Sequence, residues 1–102
     1  MKKEYRIKIS KAASRDLENI GNDLRRYYEN TATNMYDEFV TKVSNLKLFP
    51  FMYPLAKDKR LSKKGYRILV VGNYLVFYTV DNTIVSIRRI IHGKQNYLTL
   101  LE

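Results

Sequence analysis

Three runs in the second half of the chain, Tyr66 to Val71, Tyr74 to Val80 and Thr83 to Ile91, are dense in β-branched and aromatic residues, and only the dipeptides Gly72-Asn73 and Asp81-Asn82 separate them. Both dipeptides suit tight hairpin turns, so the three runs are predicted to form an antiparallel meander. This constrains the fold more than any other feature, because a meander must bury one face against another layer.

The other layer comes from upstream. Residues 4 to 9 alternate, with Tyr5, Ile7 and Ile9 on one side, which is the period of a half-buried strand. Ser10 then stands at an N-cap position. The period changes to Ala13, Leu17, Ile20, Leu24 and Tyr27 or Tyr28, the stripe of an amphipathic helix whose other face, with Lys11, Asp16, Asp23 and Arg25, reads as solvated. Residues 30 to 34 read as a polar break rich in capping residues, after which Met35 or Tyr36, Phe39, Val43 and Leu46 repeat at helical spacing up to Pro50. The expected fold is α+β and two-layered, ordered strand, helix, helix, three strands. A helical hairpin covers one face of an antiparallel sheet that the first strand joins. At 102 residues the chain is read as one domain, 1–102.

Composition removes several chemistries. There is no cysteine and one histidine, His92, so neither a disulfide nor a structural zinc site is expected, and no metal or cofactor. Met1-Lys2-Lys3-Glu4-Tyr5 runs into Arg6 and Lys8 rather than the apolar stretch of a signal peptide, and no segment reaches the length of a membrane span. A soluble cytoplasmic protein without a membrane partner is expected. The net charge is +9, with 10 basic and 7 acidic residues in positions 1–56 against 9 and 3 in positions 57–102. That surplus fits a polyanionic partner, and it fits equally a small domain kept soluble by lysine. Lys57, Lys59, Arg60, Lys63 and Lys64 are accordingly either nucleic-acid-binding residues or a solvated loop.

If both turns hold two residues, position 71 faces 74 and position 80 faces 83. One sheet face then collects Tyr66, Ile68, Val70, Leu75, Phe77, Ile84 and Ile90, with Arg88 near its edge, and is assigned to the helices. The other carries Arg67, Tyr74, Tyr78 and Arg89 among Leu69, Val71, Val76, Val85 and Ile87, and is left open. In this register Arg67 lies opposite Tyr78, Tyr78 opposite Val85, and Tyr74 opposite Arg89, unless a slip or bulge intervenes. An open apolar face implies a partner surface, and its two arginines imply an anionic partner.

The order of elements, the segment Leu48-Phe49-Pro50-Phe51-Met52-Tyr53-Pro54-Leu55, and Gly65-Tyr66-Arg67-Ile68 at the start of the meander resemble the RelE/ParE superfamily of toxins from type II toxin-antitoxin modules. Gly72-Asn73-Tyr74-Leu75-Val76-Phe77-Tyr78 and Arg89-Ile90-Ile91-His92-Gly93-Lys94-Gln95-Asn96-Tyr97 extend the resemblance over nearly the whole chain. It implies one of two activities: metal-free cleavage of mRNA in the ribosome, or inhibition of DNA gyrase without nuclease chemistry. It also implies a partner antitoxin whose segment folds on binding. By resemblance Arg67 falls near a scissile phosphate. Tyr74 departs from the pattern, standing where RelE-like toxins usually have arginine, whereas Arg89-Ile90-Ile91-His92-Gly93-Lys94 is similar to the ending of ParE-like sequences.

RNA cleavage without a metal needs a base, an acid and cations around one phosphate. His92 is the candidate base or acid, Tyr97 or Tyr78 the second proton donor, and Arg67, Arg89 and Lys94 the cations. Tyr74 and Tyr78 offer rings for stacking on bases. The plainer readings are a hydrogen-bonded loop histidine, tyrosines used for packing, and Arg88 paired with an acidic residue of the first helix. The sequence thus points to a toxin acting as an mRNA endonuclease, with gyrase inhibition as the alternative and an antitoxin-binding protein without toxicity as the third reading.

Overall fold

The computed structural model describes residues 4–27 and 29–101, with no side-chain account at 27 and 29. The expected lysines at 2 and 3, and the choice between Tyr27 and Tyr28 in the helical stripe, lie outside the described side chains. Eight elements follow in order: β1 (Arg6–Ile9), α1 (Lys11–Tyr27), α2 (Glu29–Asn45), α3 (Lys59–Lys63), β2 (Arg67–Val71), β3 (Tyr74–Asp81), β4 (Ile84–His92) and α4 (Tyr97–Leu101). Among the described residues, no helix is long and apolar enough to cross a membrane.

Ser10 caps α1 as its position suggests. Its Oγ accepts from the Ala13 N–H at 3.0 Å and donates to the Arg88 carbonyl at 2.8 Å, so one hydroxyl both starts the helix and ties it to β4. The polar segment 30–34 is not a break but lies inside α2. Ala32 and Met35 are buried with Phe39, Val43 and Leu46 along one side of α2, and that packing outweighs the turn preference of the intervening Asn and Thr residues.

The four strands are ordered β1-β4-β3-β2. The meander is antiparallel as expected, but β1 pairs with β4 in parallel, so the sheet is mixed. The Gly72-Asn73 turn places Val71 opposite Tyr74, as counted from sequence. At the other hairpin Asp81 pairs with Ile84, one residue later than counted, with Asn82 in the left-handed region at φ 54°. Asparagine tolerates that region better than most residues with a side chain.

A bulge then changes the parity of β4. Phe77 faces Arg89 while Tyr78 faces Ile87, leaving Arg88 as the extra residue. Tyr74 therefore lies opposite His92, not Arg89, and Tyr78 opposite Ile87, not Val85; the pairing of Arg67 with Tyr78 stands.

The helical hairpin covers the opposite face from the one assigned to it. Leu69, Val71, Val76, Tyr78, Val85, Ile87 and Ile90 form the main core with Ala13, Met35, Phe39, Val43 and Leu46. The other face is not open along its length either: α3 and α4 lay Leu61 and Leu101 on Phe77 and Ile91, with Ala56, in a second small core. The domain thus has a partial third layer, built from the loop and tail that the sequence had left without structure. Apolar content could not separate the two faces, since both are rich in it.

Tyr78 is fully buried, and its hydroxyl donates to the Pro50 carbonyl at 3.0 Å. Replacing it with phenylalanine strands that buried acceptor, so Tyr78→Phe is expected to lower stability by about 1–2 kcal/mol in urea unfolding. An unchanged midpoint would mean the bond contributes nothing.

Candidate functional site

The candidate cations do not meet. Arg67, on edge strand β2, sits on the helical side of the sheet, where its Nη1 donates to the Tyr53 carbonyl at 2.7 Å and its guanidinium lies 5.0 Å from the Phe51 ring centroid. Arg89 has the opposite parity, across from Phe77, and lies at the free margin of β4. Since β3 runs between β2 and β4, the two backbones stand roughly 10 Å apart. The two arginines therefore do not share an uncovered sheet face, as the register counted from sequence had them doing.

Arg89 has its anion within the chain. Nε donates to Asp16 Oδ2 at 2.7 Å and Nη2 to Asp16 Oδ1 at 3.0 Å, a two-pronged pair. Asp16 Oδ2 also accepts the Ile90 N–H at 2.9 Å, closing the edge of β4 beyond the end of β1. The hydrogen bonds that the Arg89 guanidinium donates to Asp16 hold it above its ordinary pKa. Sequence reading anticipated an arginine paired with an acid on the first helix but named Arg88, because it placed the helices on the other face of the sheet. Arg88 instead donates from Nε to Thr79 Oγ1 at 3.2 Å. Asp16, assigned to a solvated face, was missed because nothing in its neighbourhood in sequence marks it as meeting a strand edge.

His92 ends β4. Its Nδ1 accepts from the Lys94 N–H at 3.1 Å, its own N–H donates to Gln95 Oε1, and its ring meets Tyr74 edge-on at 5.3 Å. These groups border a cleft of about 470 Å³ between α1 and the end of β4, whose wall includes Asp16, Asn19, Asp23 and Arg89. Burial, with Asp23 nearby, pushes the Tyr74 phenol up, and burial does the same to Tyr78. Tyr97 is elsewhere, tilted against Phe77 at 5.3 Å in the small outer core, while Lys94 is exposed.

Lys57, Lys59, Arg60, Lys63 and Lys64 are all exposed on and around α3, which Asp58 caps by accepting from the Arg60 and Leu61 N–H groups. They lie on the outer side of the sheet, whereas Tyr74 and Tyr78 lie on the helical side, so the expected cations and stacking rings are separated by the sheet. Among the described residues no group of three or more His, Asp or Glu side chains is arranged to hold a metal ion.

The exposed apolar surface also differs from the expected sheet face. It is a strip formed by Leu48, Phe49, Phe51, Met52, Leu55 and Val70, each between 45% and 57% exposed. Beside it a groove of about 490 Å³ runs past Lys42, Leu55, Lys57 and Val70.

A family model described as the ParE toxin of the type II toxin-antitoxin system parDE matches residues 7–97. No curated protein sequence matches the chain. Among solved structures, the chromosomal ParDE system from P. aeruginosa superposes with a TM-score of 0.70 at 17% identity, over 87% of this chain and 96% of that one. The RelBE2 toxin-antitoxin complex from Mycobacterium tuberculosis gives 0.57 at 19% identity, over 87% and 98%. YafQ from E. coli strain BL21(DE3) gives 0.57 at 18% identity, over 93% and 98%. At such identities the three superpositions speak for the fold.

Removing the carboxylate at position 16 leaves the Ile90 N–H without its acceptor and Arg89 with only the Leu100 carbonyl, 3.5 Å from Nη1. Asp16→Ala is expected to cost about 2 kcal/mol in chemical denaturation, the pair being partly exposed, and Asp16→Asn to recover part of that through its remaining acceptor. Equal stability of Asp16→Ala and the parent would show that the edge of β4 needs no closure.

Proposed function

Because this chain belongs to the ParE toxin family of type II toxin-antitoxin systems, within the RelE/ParE superfamily, we propose that it arrests growth by inhibiting DNA gyrase without catalysis, and not by cutting mRNA. The observation that carries this reading is the separation of Arg67 on β2 from Arg89 at the margin of β4, with β3 between them and each already engaged within the chain. Phosphoryl transfer without a metal needs its cations converging on one phosphate. The cleft beside His92 adds Asp16 and Asp23 to its wall, which opposes a polyanion. Tyr74, in place of the arginine usual in RelE-like toxins, points the same way.

In this reading Arg67 serves to position the segment 50–53, and the exposed cations Lys57, Lys59, Arg60, Lys63 and Lys64 steer the toxin toward a gyrase-DNA complex in the cytoplasm. A cognate antitoxin holds the toxin inactive, its apolar segment lying on the strip from Leu48 to Leu55 and on Val70. That strip of half-exposed apolar side chains suits an apolar partner segment.

The test is a supercoiling assay with purified gyrase beside a cleavage assay on mRNA-programmed ribosomes. Supercoiling is expected to fall with added toxin while the mRNA stays intact, and His92→Ala is expected to inhibit as the parent does. Cleavage of ribosome-bound mRNA, abolished by His92→Ala, would instead restore the endonuclease reading.

A further inference from the structure

One end of the outer sheet face is left uncovered by α3 and α4, and it is basic. On β1, Arg6 is paired with Ile84 and Lys8 with Ser86, so both side chains share the outer parity of Thr79 and Ser86. Arg88 joins them from the adjacent strand β4, two residues beyond Ser86. All three are exposed, and none makes an ion pair among the described residues. Glu4 and Asp81, the carboxylates at that end of the face, pair with none of them.

We infer that Arg6, Lys8 and Arg88 form a docking surface for the phosphate backbone of duplex DNA, separate from the cleft beside His92. Charge on β1 alone would have a simpler explanation, since charged residues on a short edge strand deter unwanted strand pairing. Arg88 does not fit that explanation, because β4 lies between β1 and β3 and is not the edge strand. The Arg88 Nε donates to Thr79 Oγ1, on a threonine only 9% exposed, which anchors the guanidinium on this face. A side chain held in this way loses less freedom on binding than a free surface lysine.

The patch also selects among nucleic acids. Arg6 and Lys8 are two residues apart on one strand, roughly 6.6 Å, and Arg88 extends the row sideways, so the cations make a surface and not a channel. No exposed aromatic ring lies among them; the outer-face aromatics Phe77, Tyr66 and Tyr97 belong to the small core. Recognition of unpaired strands relies on such rings to stack bases, whereas duplex backbone contact needs only placed cations. This inference concerns a binding surface, and it stands or falls independently of the gyrase reading.

The experiment is fluorescence anisotropy of the full chain with a labelled 20-base-pair DNA duplex, the single strand of the same sequence, and a duplex RNA, over a range of salt. Duplex DNA is expected to bind most tightly. Replacing Arg6, Lys8 and Arg88 together with glutamine is expected to weaken binding about tenfold or more, and to reduce the slope of log K against log salt by about 2.7, as for three phosphate contacts. Removing three cations from α1 (Lys11, Arg15 and Arg26 to glutamine) lowers net charge equally and is expected to leave most of the affinity and slope. Thr79→Val, with folding checked by thermal unfolding, is expected to weaken binding while keeping every charge. Equal losses in the two triple variants would reduce the effect to net charge and overturn the proposal. Tighter binding to the single strand or to RNA would overturn it too.

Discussion

The bulge at Arg88 is the constraint on which the remainder of the domain depends. Before it, Val85 and Ile87 point under the helices; after it, Ile90 does, and Ile91 passes to the outer core. A regular strand would send Arg89 and Ile91 into the main core and put Ile90 outside. The inserted residue carries Ile90 into the main core and keeps Arg89 out of it, so Arg89 meets Asp16 at the strand's margin while Arg88 meets Thr79. Ser10 and Asp16 then secure the margin that β1 is too short to cover.

Element types and order were largely legible in the sequence because they rest on local periodicity: alternation in β1, the stripes of α1 and α2, and the glycine and asparagine of the turns. The family was legible for the same reason, through short segments in a fixed order. What failed was anything that depended on parity carried over a distance. Counting from the turns predicted Arg67 opposite Tyr78 correctly, because the Gly72 turn is regular and close by. It failed for Tyr74 and Arg89, where a shifted turn and a bulge both intervene. Residues 30 to 34 misled in another way, since their turn-forming side chains flank the buried Ala32 and tertiary packing decided the outcome.

The candidate site shows what composition can and cannot say. His92, the arginines and the tyrosines supply every residue type a metal-free nuclease requires, yet the fold distributes them over two faces and two margins of the sheet. Residue type is a property of the sequence; convergence is a property of the register. The partners that decide each arginine's role, Asp16, Tyr53 and Thr79, lie 73, 14 and 9 positions away and carry no local signature.

The segment from Leu48 to Leu55 combines a held backbone with exposed apolar side chains. Tyr78 grips the Pro50 carbonyl, Arg67 grips that of Tyr53, and the Pro54 carbonyl receives the Ile68 N–H, while Leu48, Phe51 and Met52 remain about half exposed. A molecule settling there meets a template whose main chain is already rigid. Nearly all of the ordering entropy of such a complex falls on the incoming chain, so changes that stiffen that chain would strengthen the complex more than equivalent changes in this loop.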